Sequence, residues 1–413
     1  MKKILIVLVF LSFGSIYAGG YRVALQGQRM LGMAHAGLSV FKNAETAFFN
    51  PAGIAFLDNK FSVSLGVNGI MSKVKFQNTG YNWAYETDNP TGTPFYLYFT
   101  YKYSDNINFG MAVYTPFGSS TVWNQWAGSH IVNDISLKVI YMQPSVVYKF
   151  SKYFSASASF IYAMGEVSYN KDINRYLADE NGNKTNVQLE SGMTSAMGYG
   201  LSIAYKPTDD FSFGVNYRSK ITLSPDSGTA KFNNVPAFLS QKLTDTGFSA
   251  ELPMPAELGI GFSFQATKKL LLAFDYNHTY WSAYKKLEIN FDNDLPSSVA
   301  IKNYHNTSTI RMGAEYQLTG HFAVRAGYYY DETPVPGNYF SPETPSLNTD
   351  NFTFGLGYES DKLSVDLSLL YLKGEENTGY TKVYGEGPAP HKFGGDYISS
   401  ALIPGIGITY SLK

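Results

Sequence analysis

The stretch Phe61-Ser62-Val63-Ser64-Leu65-Gly66-Val67-Asn68 places a large apolar side chain at every odd position and a small or polar one at every even position. A β-strand sends successive side chains to opposite faces, so this octet has one greasy face and one polar face. The pattern returns far down the chain. Phe211, Phe213, Val215 and Tyr217 alternate with Ser212, Gly214, Asn216 and Arg218. Phe322, Val324, Ala326, Tyr328 and Tyr330 oppose Arg325 and Gly327, and Leu363, Val365, Leu367, Leu369 and Tyr371 oppose Ser364, Asp366 and Ser368. Each run lasts about ten residues, enough for a tilted strand to cross a bilayer.

A soluble sandwich also alternates, and the spacing of turns separates the two. Short polar turns fall near Asp105, Lys152, Thr208, Thr267, Thr319 and Asp361. Between successive short turns lies a longer segment rich in Asn, Asp, Gly and Pro. Short turns at one end and long loops at the other mark an outer-membrane barrel. Six hairpins, one strand near 61–70 before them and one near 397–412 after them make fourteen strands. An even count puts both ends of the barrel on the periplasmic side and seven long loops outside, at 71–92, 116–133, 171–189, 224–252, 282–303, 332–348 and 374–396. Lipid offers no water to an unpaired edge, so the last strand must pair with the first. Trp83, Trp123, Trp126 and Trp281 lie in or beside these loops, where an outer aromatic girdle is expected. The third strand is expected at 106–114, with Gly110 as its candidate kink.

Composition agrees. Only 16% of residues are charged, against roughly 25% in ordinary globular chains. The chain holds 33 Tyr, 29 Phe and 38 Gly, and its formal charge is -1, so no basic surface for nucleic acid is expected. With no cysteine, disulfides and thiolate chemistry are excluded. Residues 1–18 have the form of a cleaved signal peptide. Lys2 and Lys3 are the basic start, Ile4 to Phe13 the apolar run, and Ser15-Ile16-Tyr17-Ala18 the cleavage site before Gly19. Six histidines (His35, His130, His278, His305, His321, His391) are scattered without metal-ligand spacing, and no local motif joins a serine nucleophile to a base. No catalytic residue, metal or cofactor is expected.

Residues 19–60 precede the first strand. They run from small (Gly27, Gly32, Ala34, Ala36, Gly37) to apolar, with Phe48, Phe49, Ile54 and Phe56 wrapped around the turn Asn50-Pro51-Ala52-Gly53. A fourteen-stranded barrel is too wide for its own side chains to fill. Residues 19–60 are therefore expected inside it as a plug, and residues 61–413 are expected to form the barrel.

Several segments resemble the FadL/TodX outer-membrane transporters of long-chain fatty acids and hydrocarbons. The N-terminal ones are Gly19-Gly20-Tyr21, Gly32-Met33-Ala34-His35-Ala36-Gly37 and Asn50-Pro51-Ala52-Gly53. Downstream come Thr115-Pro116-Phe117-Gly118 with Trp123 and Trp126, Gln143-Pro144-Ser145-Val146, Leu252-Pro253 ahead of Leu258-Gly259-Ile260-Gly261, and Tyr280-Trp281-Ser282. Arg311-Met312-Gly313-Ala314-Glu315-Tyr316 and the run from Arg325 to Pro336 complete the set, in an order that covers the whole mature chain. The resemblance implies a monomeric, Gram-negative outer-membrane transporter with a hatch in its lumen. An apolar substrate would enter through loop-formed grooves, bind inside and leave sideways into membrane lipid beside a kinked third strand. Asn50, Pro51 and Ala52 would line that exit, and Tyr21 would reach toward the ligand pocket, where the family usually has Phe.

Arg311, Glu315, Arg325, Asp275 and Asp366 have inward parity. Arg311 and Arg325 are candidates for a charge-assisted pair with a substrate carboxylate. Alternatively these residues form, with Asp275, Glu315 and Asp366, a lumenal ion network that anchors the plug. Val235 to Leu239 and Leu243 suggest a short amphipathic helix, so Phe238, Leu239 and Leu243 are candidates for an outer entrance groove. Passive diffusion along an apolar path suits such a substrate: passing about fifteen methylenes through water costs roughly 12 kcal/mol, at about 0.8 kcal/mol per CH₂. An adhesin or structural barrel that binds a partner through its loops, and a polar-solute porin, are the alternatives.

Overall fold

The structure is a computed structural model that describes residues 20–78, 83–384 and 391–412. The expected signal peptide, its cleavage site and Lys413 lie outside the described residues. Fourteen antiparallel strands form the wall. They are β1 (Phe61–Asn68, continued by Met71–Asn78), β2 (Phe95–Lys102), β3 (Ile107–Val122), β4 (Asp134–Lys149), β5 (Phe154–Asp172), β6 (Thr194–Tyr205) and β7 (Phe211–Arg218). The second half holds β8 (Glu257–Thr267), β9 (Leu270–Thr279), β10 (Thr307–Gln317), β11 (Phe322–Asp331), β12 (Thr349–Glu359), β13 (Leu363–Gly374) and β14 (His391–Leu412). Each pairs with its neighbours in sequence, and β14 closes on β1 from Phe61↔Leu412 to Asn68↔Gly405. Among the described residues the ring of strands closes on itself, which is what hydrocarbon demands.

The alternation has the opposite sense from that of a soluble protein. Ser62, Ser64, Asn216, Thr353 and Ser368 point inward and are buried, whereas Leu65, Phe262, Leu356, Leu367 and Ile406 point outward and are 44–59% exposed. These outward side chains face lipid, so exposure to the surroundings is where apolar groups are stable.

Several expected boundaries are corrected. The third strand does not stop at 114 but runs to Val122, and the first continues past 70, because both keep pairing there, with β4 and β14 respectively. The long connections carry strands of their own. The ribbons Asn186–Glu190, Gly228–Asn233, Thr246–Ala250, Lys286–Phe291 and Ser298–Ile301 extend the wall outward from β5, each pairing with the next. The tryptophans do not form a girdle. Trp123, Trp126 and Trp281 turn inward and are buried, with the first two stacked at 4.3 Å, while Trp83 is 39% exposed.

The segment from Tyr21 to Leu57 lies within the ring of strands and is almost wholly buried. It contains two one-turn helices, α1 (Gln28–Leu31) and α2 (Thr46–Phe49), and a 3₁₀ turn at Pro51–Phe56. Pro51 starts that turn because its fixed φ suits a first helical position and its missing N–H would be unsatisfied there anyway. Small residues let the segment touch the wall. A Cβ added at Gly32 would lie 2.9 Å from the Cα of Gly355 on β12, so two backbones meet where any side chain would separate them.

Candidate functional site

Two cavities lie inside the ring, one above the other along the N-terminal segment. The larger, about 100 Å³, sits at the long-loop end. Leu137 of β4 and Val167 of β5 line it, together with Leu189, Phe248 and Ile289 from the outer ribbons and Leu252 from a short strand paired with Ile221–Leu223. Tyr21 borders it and is buried. Its hydroxyl donates to the carbonyl of Pro253 at 2.5 Å, and its ring meets Trp281 edge-on at 4.7 Å and Phe117 at 6.0 Å. The charges lining this cavity are Lys302 and Glu343, paired at 2.7 Å. Lys302 and the hydroxyl of Tyr169 hold the Glu343 carboxyl down at about 2 against the opposing effect of burial. Burial works against the Lys302 ammonium, yet Glu343 raises it well above the usual lysine range.

The smaller cavity, about 40 Å³, is the more polar of the two: Arg22, Arg218, Glu257, Asp275 and Arg311 share its lining with Leu38, Phe48 and Phe49. Arg22 bridges Glu257 at 3.3 Å and Asp331 at 3.0 Å. Arg311 donates to the Ala34 carbonyl at 3.2 Å and lies 4.2 Å over the Tyr329 ring, but its Nε and Nη2 have no hydrogen-bond partner among the described residues. Asp275 accepts from Leu38 N at 3.0 Å and leaves Oδ1 unpartnered.

Glu315, Arg325 and Asp366 meet elsewhere, with Arg29 of α1 as the member sequence reading missed. Glu315 takes Arg29 at 2.5 Å and Arg325 at 2.6 Å, and Arg325 also reaches Asp366 at 2.7 Å. Arg325 is thus saturated with carboxylates and lines neither cavity, whereas Arg311 lines the polar one. Asp275 stands apart from this network and Arg311 forms no ion pair among the described residues. Phe238 is 78% exposed on a three-residue 3₁₀ turn, Ala237–Leu239, so the expected amphipathic helix does not form; with Leu239 and Leu243 it lies away from both cavities.

The third strand is irregular, but not at Gly110. That residue pairs normally with Thr100 and Ser145, and its bare face receives Ile54 of the N-terminal segment. The β3–β4 register shifts between Tyr114 and Phe117, and the β2–β3 ladder ends at Tyr114. Pro116 explains the place, since proline cannot donate to a ladder. On the next strand the β4–β5 ladder skips Gln143 and Pro144. The exposed edge of β3 is taken up by the chain's own N-terminus. Val23 N donates to Pro116 O at 2.7 Å, Gly118 N donates to Tyr21 O at 3.0 Å, and the Gln26 amide reaches Thr115 O at 2.9 Å. Beneath, Phe48 packs on Tyr114 at 4.7 Å, with the Arg218 guanidinium 4.5 Å over Phe48. Asn50 and Ala52 are held farther round the wall. Asn50 Nδ2 donates to Ile203 O at 2.9 Å, Ala52 N to Ser202 Oγ at 3.0 Å, and Ser155 Oγ to Ala52 O at 2.7 Å.

Over residues 9–412 the chain matches the family described as outer membrane protein transport protein (OMPP1/FadL/TodX). The chain belongs to this family. It is 25% identical over 412 residues to an outer membrane protein of Neisseria meningitidis, covering 87% of each chain. It is 22% identical over 426 residues to the long-chain fatty acid transport protein of Escherichia coli, covering 95% of this chain and 94% of that one. Among solved structures, a Pseudomonas aeruginosa FadL homologue superposes with a TM-score of 0.81 at 19% identity, covering 96% of this chain and 100% of that one. The Pseudomonas putida toluene transporter TodX gives 0.71 at 15%, with coverage of 96% and 100%. Family membership and the closed wall place the chain in the outer membrane of a Gram-negative cell and among transport proteins rather than enzymes. No group of His, Asp or Glu among the described residues is arranged to hold a metal ion.

Proposed function

We propose that this family member passes hydrophobic small molecules across the outer membrane by passive diffusion and releases them sideways into lipid. The observation that carries the reading is the continuity at Tyr21–Val23. Tyr21 borders the apolar cavity, and the same three residues complete the broken edge of β3. A ligand that displaces Tyr21 therefore loosens the backbone pairing that covers Thr115 to Gly118. In this reading residues 19–60 act as a hatch, and Asn50, Pro51 and Ala52 fix its lower end while the upper end moves. The related proteins named for fatty acids and toluene support an apolar cargo. The family likeness also favours a single chain working alone in lipid.

The chain has no native cysteine, which gives a clean test. Arg22 and Phe117 face each other in an antiparallel bridge, a geometry within reach of a disulfide. Arg22→Cys with Phe117→Cys, oxidised, is expected to stop uptake of an apolar dye into lipid vesicles, and reduction is expected to restore it. Equal uptake in both redox states would overturn the moving-hatch reading.

A further inference from the structure

The larger cavity carries an ion pair that is closed on itself. Lys302 Nζ lies 2.7 Å from Glu343 Oε2, with the two side chains 7% and 17% exposed. The other carboxylate oxygen, Oε1, accepts the Tyr169 hydroxyl at 2.8 Å. Tyr284 and Tyr304 flank the ammonium, and Lys171 faces the carboxylate from β5 without lining the cavity. The cation best placed to greet an anionic ligand is thus already neutralised from within the protein, while the rest of the lining is mainly apolar, with Ser119, Ser191, Thr194 and Thr344 as uncharged polar members.

We infer that Glu343 is a specificity-determining residue: its carboxylate occupies the position on Lys302 that a ligand's carboxylate would take, so the cavity selects uncharged apolar molecules over carboxylates of equal chain length. Two carboxylates sharing one ammonium beside a low-dielectric wall repel each other. An uncharged ligand meets no such opposition and gains the same apolar burial. The inference rests on the reading that this cavity receives the transported molecule.

The test uses the full chain in lipid nanodiscs, titrated calorimetrically at neutral pH with 1-octanol and with octanoate, against empty discs. The native protein is expected to bind octanol more tightly than octanoate. Glu343→Gln keeps the side chain's shape and one acceptor oxygen, puts an amide NH2 in place of the other, and removes the negative charge that neutralises Lys302. It should tighten octanoate binding about tenfold, the worth of one charge-assisted hydrogen bond, and leave octanol unchanged. Adding Lys302→Met should abolish the gain. A gain of affinity cannot come from misfolding. Native protein that binds octanoate as tightly as octanol overturns the inference, as does a Glu343→Gln variant that binds octanol but gains nothing for octanoate. Failure of octanol to bind at all overturns the ligand-site reading, and the inference with it.

Discussion

The upper and lower halves of the lumen are built on opposite principles. The upper cavity is walled mainly by Leu, Val, Ile and Phe, holds a single ion pair, Lys302–Glu343, and keeps free volume. The lower half is crossed by a network of buried ions, Arg29, Glu315, Arg325 and Asp366, while Arg22, Glu257 and Asp331 form a second one between the halves. Apolar contacts are non-directional, so a greasy chamber accepts many shapes. Buried charges are stable only with their partners in place, so the network fixes one arrangement of the N-terminal segment. The difference teaches that the half offering room for cargo is not the half that holds the segment in position.

The sharpest way to break this contrast is Arg325→Met. It strands Asp366 in the interior, leaves Glu315 with Arg29 alone and should cost about 3–5 kcal/mol, the usual penalty for unpairing a buried ion. Urea unfolding in detergent would read the loss, and planar-bilayer recording should show a raised steady current as the N-terminal segment loosens. Ala52→Phe comes next. Ala52 is fully buried and bonded on both sides to β5 and β6. Overpacking there should cost about 1–3 kcal/mol and impair uptake while the heat-modifiable barrel persists on gels. Tyr21→Phe removes only the hydroxyl bonded to Pro253. It should cost about 1 kcal/mol, and its effect should appear in uptake rather than in barrel stability.

The smallest effect in the ordinary range is that of pH on the upper half. The Glu343 carboxyl is depressed from 4.5 to about 2. A depressed carboxylate contributes its full stabilisation above its unfolded value and loses it as pH falls through the folded one. Near-ultraviolet circular dichroism of the aromatic cluster around Trp281 should therefore stay flat from pH 8 to about 5 and fade only from about 4.5 toward 2. Loosening between pH 7 and 5 would contradict the assignment of Glu343 as an ionised partner of Lys302.

Much of the wall was legible in the sequence, because period-two alternation and two classes of turn are local signals. Phe211 to Arg218 reads as a strand without any knowledge of its neighbours. The outer ribbons were not legible. Segments such as Asn186–Glu190 are short, and they are strands only because a partner lies alongside. The break in β3 was half-legible. Gly110 drew attention for its flexibility, yet Pro116, lacking an N–H, carried the stronger signal within the Thr115-Pro116-Phe117-Gly118 motif. Glu315, Arg325 and Asp366 were recognisable from inward parity, but Arg29 was not, since residues 19–60 have no strand period to reveal direction. Lys302 and Glu343 come from separate loops, and nothing local announces that they meet.

The contacts of the N-terminal segment also bear on the order of assembly. Arg29 meets Glu315, Ala34 meets Thr353 and Gln28 meets Ser368, across separations of 286 to 340 residues. These partners lie hundreds of residues downstream, so the N-terminal segment cannot settle until β10, β12 and β13 have been made. The slow, long-range step of folding therefore falls to this segment.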